Sequence, residues 1–454
     1  MDNNWMDEAH ARPKNGVTSQ LCGFLASAKY EDLPDSTVHA AQRGLLDWFG
    51  CVFAGSTHPS ADIVIAMLQD LGGRPEATVL GRKLKLGILE APVANGFMGH
   101  VLDYDDTHAT TLHPSSPVLS ALLPLCERKP VSGKEFLLAY VCGLEAGVRA
   151  GRASPSHHKG GWHLTGTLGS MAAGVGAAKL MGCSHPEITH AIGIAASQSA
   201  GLQQNRGTMT KYLHAGKAAA NGLMSGLLAQ RGFTSSSEVI EGARGFCRIY
   251  SEVAAPDELV ADLGKPWEME RNGYKPYASA VVLHSIVDAM IQIRSQIRID
   301  PMRVTEIRMS VHPHVVSITG VMEPANGMQS KFSVSHSAAI GLADGAGGAY
   351  EYSDERVRDP VITALRKKVK VEIDNTLDVD QARATVVMEG KEYNAFVEHQ
   401  SGTKNNPMSD AEIEKKFMTY ARQIIGEEAS RKSAQLIWKI QTIKDVRELL
   451  ALCE

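Results

Sequence analysis

Between residues 103 and 117 the chain places Asp103, Asp105, Asp106, Thr107, His108 and His113 in one short stretch, closed by Pro-Ser-Ser-Pro. Apolar runs at 91–102 and 118–125 flank it and read as packed helices. Carboxylates, imidazoles and hydroxyls are therefore held in a polar connection between rigid elements, where binding and catalytic groups concentrate. Like charges this close also shift one another's pKa. Three chemistries compete for the stretch. Magnesium-diphosphate chemistry wants a third carboxylate where Ala109 follows Asp105-Asp106. A zinc or iron site drawing on His108, His113 and His163 has no compact ligand spacing and no C-x-x-C pair to help, so no metal is expected. What remains is metal-free acid/base chemistry, in which imidazole and carboxylate move protons while cations hold the carboxylates of a substrate.

Further polar clusters stand at helix starts. One runs from His157 through His163 to Thr167, before a small-residue helix predicted over 165–181. Another carries Arg206, Lys211 and His214, before a second such helix over 214–230. The last is Tyr274-Lys275-Pro-Tyr277, opening a helix over 278–296. A cation near a helix N-terminus works against the macrodipole. Arg206, Lys211 and Lys275 so placed make sense if an anion sits between each cation and the helix. Removing either lysine is expected to weaken substrate binding and leave stability almost unchanged.

The elements that must position these groups follow from periodicity and punctuation. Ser36 opens a helix with Leu45, Leu46, Phe49, Val52 and Phe53 on one face, closed by Gly55. Ser60 caps a second helix that ends at Gly72-Gly73. Ser132 to Glu135, Ser184 to Glu187 and Ser409 to Glu412 are capping boxes. The glycines of the two small-residue helices are read either as close helix contact or as backbone lying against a ligand. After Pro266 the pattern alternates with period two at 304–312, with further strands at 369–373, 383–388 and 392–397 and a Glu389-Gly390-Lys391 turn. The fold expected is mainly α: a large helical domain over 1–266, completed by 398–454, with an α+β lid domain over 267–397.

At 454 residues two domains are the prior. A net charge of -4 offers no field for nucleic acid or an anionic membrane, so any site for an anionic substrate must be locally basic. Seven cysteines without C-x-x-C spacing read as reduced thiols. With a polar N-terminus carrying Asp2, Asp7 and Glu8, and no long uncharged apolar run, a cytoplasmic protein is expected.

The string Asn95-Gly96, His100, Asp103-Tyr-Asp-Asp-Thr107 and His113-Pro-Ser resembles the signature of the MmgE/PrpD family. That family includes 2-methylcitrate dehydratases, cis-aconitate decarboxylases and an iminodisuccinate epimerase. The resemblance continues through Gly161-Trp-His163, Gly166 to Gly169, Thr208 to Lys211, His214-Ala-Gly216, Lys275 with His284, and Phe332 to His336 with Asp344-Gly345. It implies a cofactor-free active site between a helical domain and an α+β lid, usually in a homodimer. Site positions carried over are Asp103, Thr107, His113, His163, Lys211 and Lys275. A seventh, often tyrosine in the family, is His336 here. The mechanism implied is a lyase on a small citrate-like di- or tricarboxylate. His113 or His163 acts at the proton, Asp103 orients the imidazole, and Arg206, Lys211, Lys275 and Thr107 hold the substrate. His336 is expected to face the cleft, where a further imidazole would also suit a two-base epimerase.

Overall fold

The computed structural model describes residues 16–108 and 112–453. The polar N-terminus and Ala109 to Thr111 of the acidic stretch lie outside those residues. The chain is mainly helical with a smaller α+β region. Its first half runs through α1 (Val17–Ser27), α2 (Asp35–Ser56), α3 (Pro59–Leu71), a small hairpin of β1 (Ala77–Val79) and β2 (Leu84–Leu86), and α4 (Glu90–His100). After the acidic stretch come α5 (Ser115–Arg128), α6 (Gly133–Arg152), α7 (Leu164–Leu180), α8 (His185–Ala196) and α9 (Met209–Ala229).

All three capping boxes form, each with the serine hydroxyl facing the N3 backbone and the glutamate reaching back to the serine N–H. Three expected starts move, the first being that of α2, which begins at Asp35 behind Pro34 rather than at Ser36. The cap of α3 is His58, whose ring accepts from Ser60 N, so Ser60 lies inside the first turn. Helix α9 begins five residues before His214, which puts Lys211 in its first turn. The glycines of α7 and α9 serve helix contact. A methyl on Gly216 would run into the Val93 carbonyl of α4, and one on Gly222 would meet Ala173 of α7. Because α4 leads into Asp103 and α9 carries Lys211, this close approach sets the distance between the two. Gly216→Ala is expected to lower the melting temperature despite alanine's better helix propensity of about 1 kcal/mol. The clash is with backbone, and overpacking of this kind costs about 1–3 kcal/mol; an unchanged midpoint in thermal unfolding would count against the tight packing.

The second half holds α10 (His284–Gln296), α11 (Val334–Asp344), α12 (Pro360–Arg366) and four strands, β3 (Val304–Val311), β4 (Val369–Ile373), β5 (Ala382–Met388) and β6 (Lys391–Val397). The expected helix from residue 278 starts only at His284, after a 3-10 turn. The sheet order is β4-β3-β5-β6, with β3 and β4 parallel and the rest antiparallel. Glu389 and Gly390 both take positive φ, which is the I′ geometry that a two-residue hairpin requires. Helices α10 and α11 pack on this sheet. The closing helix α13 (Asp410–Trp438), bent at Gly426, packs on α2. Among the described residues no single helix is long and apolar enough to cross a membrane.

Candidate active site

Seven of the eight residues expected at the site line one cleft of about 430 Å³: Asp103, Thr107, His113, His163, Arg206, Lys211 and Lys275. Its opposite wall is built by the α+β part, through Val281, Val282, His314, Phe332 and Asp380 among others. A two-residue ladder ties the acidic stretch to the lysine segment, pairing Thr107 with Gly273 and His108 with Asn272.

The three carboxylates are buried rather than solvated, and each has a different partner. Asp103, in the left-handed region at φ 52°, lies between two ammoniums. Lys211 bonds one carboxylate oxygen and Lys275 donates to the other at 2.6 Å. Burial by itself would raise this carboxyl, but Lys211 and Lys275 hold it well below the usual carboxylate range. Asp103 therefore serves the lysines, and the expectation that it orients an imidazole is overturned. That task falls to Asp105, which accepts from His100 Nδ1 at 2.9 Å and lies 3.7 Å from His113 Nδ1. Asp106 accepts from Ser115 Oγ and Asn272 Nδ2, both at 2.5 Å, and from Ser115 N at the start of α5. Burial and then the charge of Asp105 push it up to about 8.

The anion that Lys211 and Lys275 hold is thus the protein's own. It also changes what the lysines can do. Lys275 directs its ammonium at Asp103 Oδ1, the Asp103 carbonyl (3.1 Å) and the Ser279 carbonyl (3.2 Å). All three of its N–H donors are then occupied, and its charge reaches the cleft only through space. Lys211 keeps donors beyond its bond to Asp103, and Arg206, held by Gln203, keeps more. Direct holding of a ligand carboxylate falls to Lys211 and Arg206. Both lysines are buried, so the expectation that losing either leaves stability untouched is corrected. Breaking a buried pair costs about 3–5 kcal/mol because the remaining charge stays uncompensated.

His113 Nδ1 donates to the Asp106 carbonyl at 2.8 Å and approaches Thr107 Oγ1 at 3.1 Å. That bond fixes its tautomer and leaves the lone pair on Nε2. Burial and then Lys275 hold its pKa down to about 3, so the ring is neutral at pH 7. His163, the N-cap of α7, shares an Nδ1 to Nδ1 bond of 2.9 Å with His214 and stacks on His100, ring centroids 5.5 Å apart. Burial, then Lys211, hold it well below the ordinary imidazole value.

His336 does not join them. Its Nε2 donates to the Glu351 carbonyl at 2.9 Å, its Nδ1 lies 3.3 Å from Arg366, and its ring packs on Tyr352. It is a fully buried core histidine with both nitrogens satisfied, at the start of α11 and away from the described lining of the cleft. The expectation that His336 faces the cleft is therefore corrected.

Several site groups were not anticipated. His100 was visible only as a letter of the signature; Asp105, His158 and His214 stood inside the polar clusters without a role of their own; His314 and Gln400 gave no signal beyond polarity. His100, His113 and His163 each offer one ring nitrogen within 4.8 Å of the others, so the fold assembles a set able to hold a metal ion. Their separation along the chain concealed it.

The comparisons agree with this architecture. The MmgE/PrpD N-terminal domain model matches residues 19–259 and the C-terminal domain model residues 277–442. A cis-aconitate decarboxylase of Aspergillus terreus is 27% identical over 98% of this chain and 97% of its own length. The mouse and human cis-aconitate decarboxylases are 26% and 24% identical, each over 96% of this chain and over 93% and 94% of their own lengths. Fold and comparisons together define an enzyme of the lyase type. The chain belongs to the MmgE/PrpD family.

Proposed function

We propose that this protein is a metal-independent lyase that acts on a small citrate-like tricarboxylate, with decarboxylation of a cis-aconitate-like acid as the leading reaction. The observation that carries the reading is one cleft holding a tautomer-locked imidazole, His113, beside two cations with donors to spare, Lys211 and Arg206. The relatives named above, similar over nearly their whole length, support decarboxylation over the other chemistries of the family.

Substrate carboxylates sit on Lys211 and Arg206. In decarboxylation the C–C bond breaks, carbon dioxide leaves, and its electron pair stays on a carbon conjugated with a remaining carboxylate. Ammonium charge stabilises that carbanion as it forms, and an imidazole N–H delivers the proton. His163 can supply it in the tautomer whose Nδ1 accepts from His214 and whose own proton lies on Nε2. In dehydration the neutral His113 takes a proton beside a carboxylate while hydroxide leaves. The same reading makes the protein a cytoplasmic homodimer with no nucleic-acid or membrane partner, supported by the family resemblance and the net charge. Epimerisation loses the support that His336 was to give it, since that ring is outside the cleft.

The test is to offer cis-aconitate, citrate, 2-methylcitrate and an iminodicarboxylate in deuterated water and follow the products by NMR. Carbon dioxide with a singly deuterated unsaturated acid is the expected result. Deuterium exchange at an α-carbon with no new unsaturated product would transfer the assignment to an epimerase. Prolonged dialysis against a strong chelator is expected to leave the rate unchanged. A loss restored by zinc or iron would make His100, His113 and His163 a metal centre and end the acid/base reading.

A further inference from the structure

Three consecutive carbonyls, those of Leu102, Asp103 and Tyr104, each receive an ammonium from a different part of the chain. Lys331 reaches Leu102 O at 2.8 Å, Lys275 reaches Asp103 O at 3.1 Å, and Lys416 of α13 reaches Tyr104 O at 2.6 Å. The outer two also take the other strand of the site, Lys331 at Ala278 O (2.9 Å) and Lys416 at Lys275 O (3.1 Å). Asp103 holds a left-handed backbone at φ 52°, a conformation that costs about 1–3 kcal/mol for a residue other than glycine and persists only where its surroundings over-determine it. These lysines supply that over-determination.

Two of the three have a counter-ion: Lys275 has Asp103, and Lys416 has Asp47 at 2.7 Å. Lys331 is only 2% exposed, and among the described residues no carboxylate stands within ion-pair distance of it. A buried ammonium without a partner carboxylate costs several kcal/mol, and a methionine would fill the same space without that cost. Burial holds Lys331 down to about 7 against the opposing charge of Asp103, with Lys275 and Lys211 adding to the fall. Stability of the fold is thus a poor reason for a lysine here. Its place in the site is a better one: the next residue, Phe332, lines the cleft and lies 5.3 Å from the Lys211 ammonium.

We propose that Lys331 is a positioning residue, which from the α+β side clamps the Leu102 and Ala278 carbonyls and so fixes Asp103, Lys211 and Lys275 in register with the cleft wall that carries Phe332. It touches no reacting atom. Its role in turnover rests on the function proposed above; its role in holding the turn does not.

The experiment is Lys331→Met. The melting temperature is expected to stay level or rise, because an unpaired buried charge has gone. At the same time kcat falls at least tenfold, and amide hydrogen exchange across residues 102–108 speeds at least tenfold with the rest of the protein unchanged. Lys331→Arg, which keeps a charged donor for both carbonyls, is expected to retain a kcat within a few-fold of wild type and wild-type exchange across residues 102–108. Wild-type kcat and exchange in Lys331→Met would overturn the proposal, and so would a lowered melting temperature in Lys331→Met with wild-type exchange across residues 102–108, which is the mark of a purely structural lysine. If wild type turns over none of the acids tried, the functional reading fails alone, and the exchange data still decide the clamp.

Discussion

Asp103→Asn is expected to cost about 10²- to 10³-fold in kcat/KM, the range seen when one preorganised charge-stabilising group is removed, together with about 3–5 kcal/mol of stability. The amide keeps the size of the side chain and removes the charge that Lys211 and Lys275 share. Two buried ammoniums are then left facing each other, and Lys211, already lowered by burial, is the one expected to shed its proton. The pH dependence gives a second reading. The folded pKa of Asp103 is depressed, so its contribution to stability is fully present above the unfolded value of about 3.9 and is lost as pH falls through the folded value. Wild type should therefore lose stability on acidification below about pH 4 through this group, and Asp103→Asn should lack that component while being less stable at pH 7. Urea unfolding across pH 2.5–7 with parallel kinetics measures both. A variant with wild-type stability and turnover would show that the two lysines find compensation elsewhere.

The parts of the fold legible in the sequence are those set by local chemistry. Ser132, Ser184 and Ser409 with their glutamates mark helix starts because the cap is a contact three residues long. Glu389-Gly390 marks its hairpin because glycine and the turn type demand positive φ. The α10 segment was harder: Tyr277 to Leu283 has helical composition, yet Lys275 spends its donors on Asp103 and Ser279, and the chain becomes α-helical only at His284, after a 3-10 turn. Tertiary bonding overrides propensity there.

The same distinction governs the site. Which residues gather was readable from type and motif, and seven of the eight named residues share the cleft. Who pairs with whom was not. Asp103 and Asp105 are two residues apart in the same stretch, and only the left-handed backbone at Asp103 turns one carboxylate to the lysines while the other faces His100 and His113. His336 fails for a related reason. Its motif places it on α11, but a motif says nothing of the direction in which a helix points a side chain, and Glu351 and Arg366 hold this one in the core.

His113→Gln should give the cleanest separation of chemistry from binding. Glutamine keeps a polar group near the Asp106 carbonyl and Thr107 but cannot exchange a proton at the position of Nε2. Loss of a positioned acid/base group costs about 10²- to 10⁴-fold, so kcat in a dehydration, where His113 takes the proton, should fall by that amount. Affinity for a tricarboxylate should change only a few-fold, because Lys211 and Arg206 are untouched. The wild-type pH profile bears on the same ring. An ordinary imidazole would impose a limb near pH 6.5, but with its pKa held down to about 3 His113 stays neutral far below that, and a rate that depends on the neutral ring should persist on acidification past pH 6.5 until the fold itself gives way. His163→Gln distinguishes the two imidazoles, since His163 is tied to His214 and His113 is not. If His113→Gln keeps its rate within tenfold while His163→Gln loses it, the ring on α7 carries the proton in both directions and His113 serves only to shape the cleft.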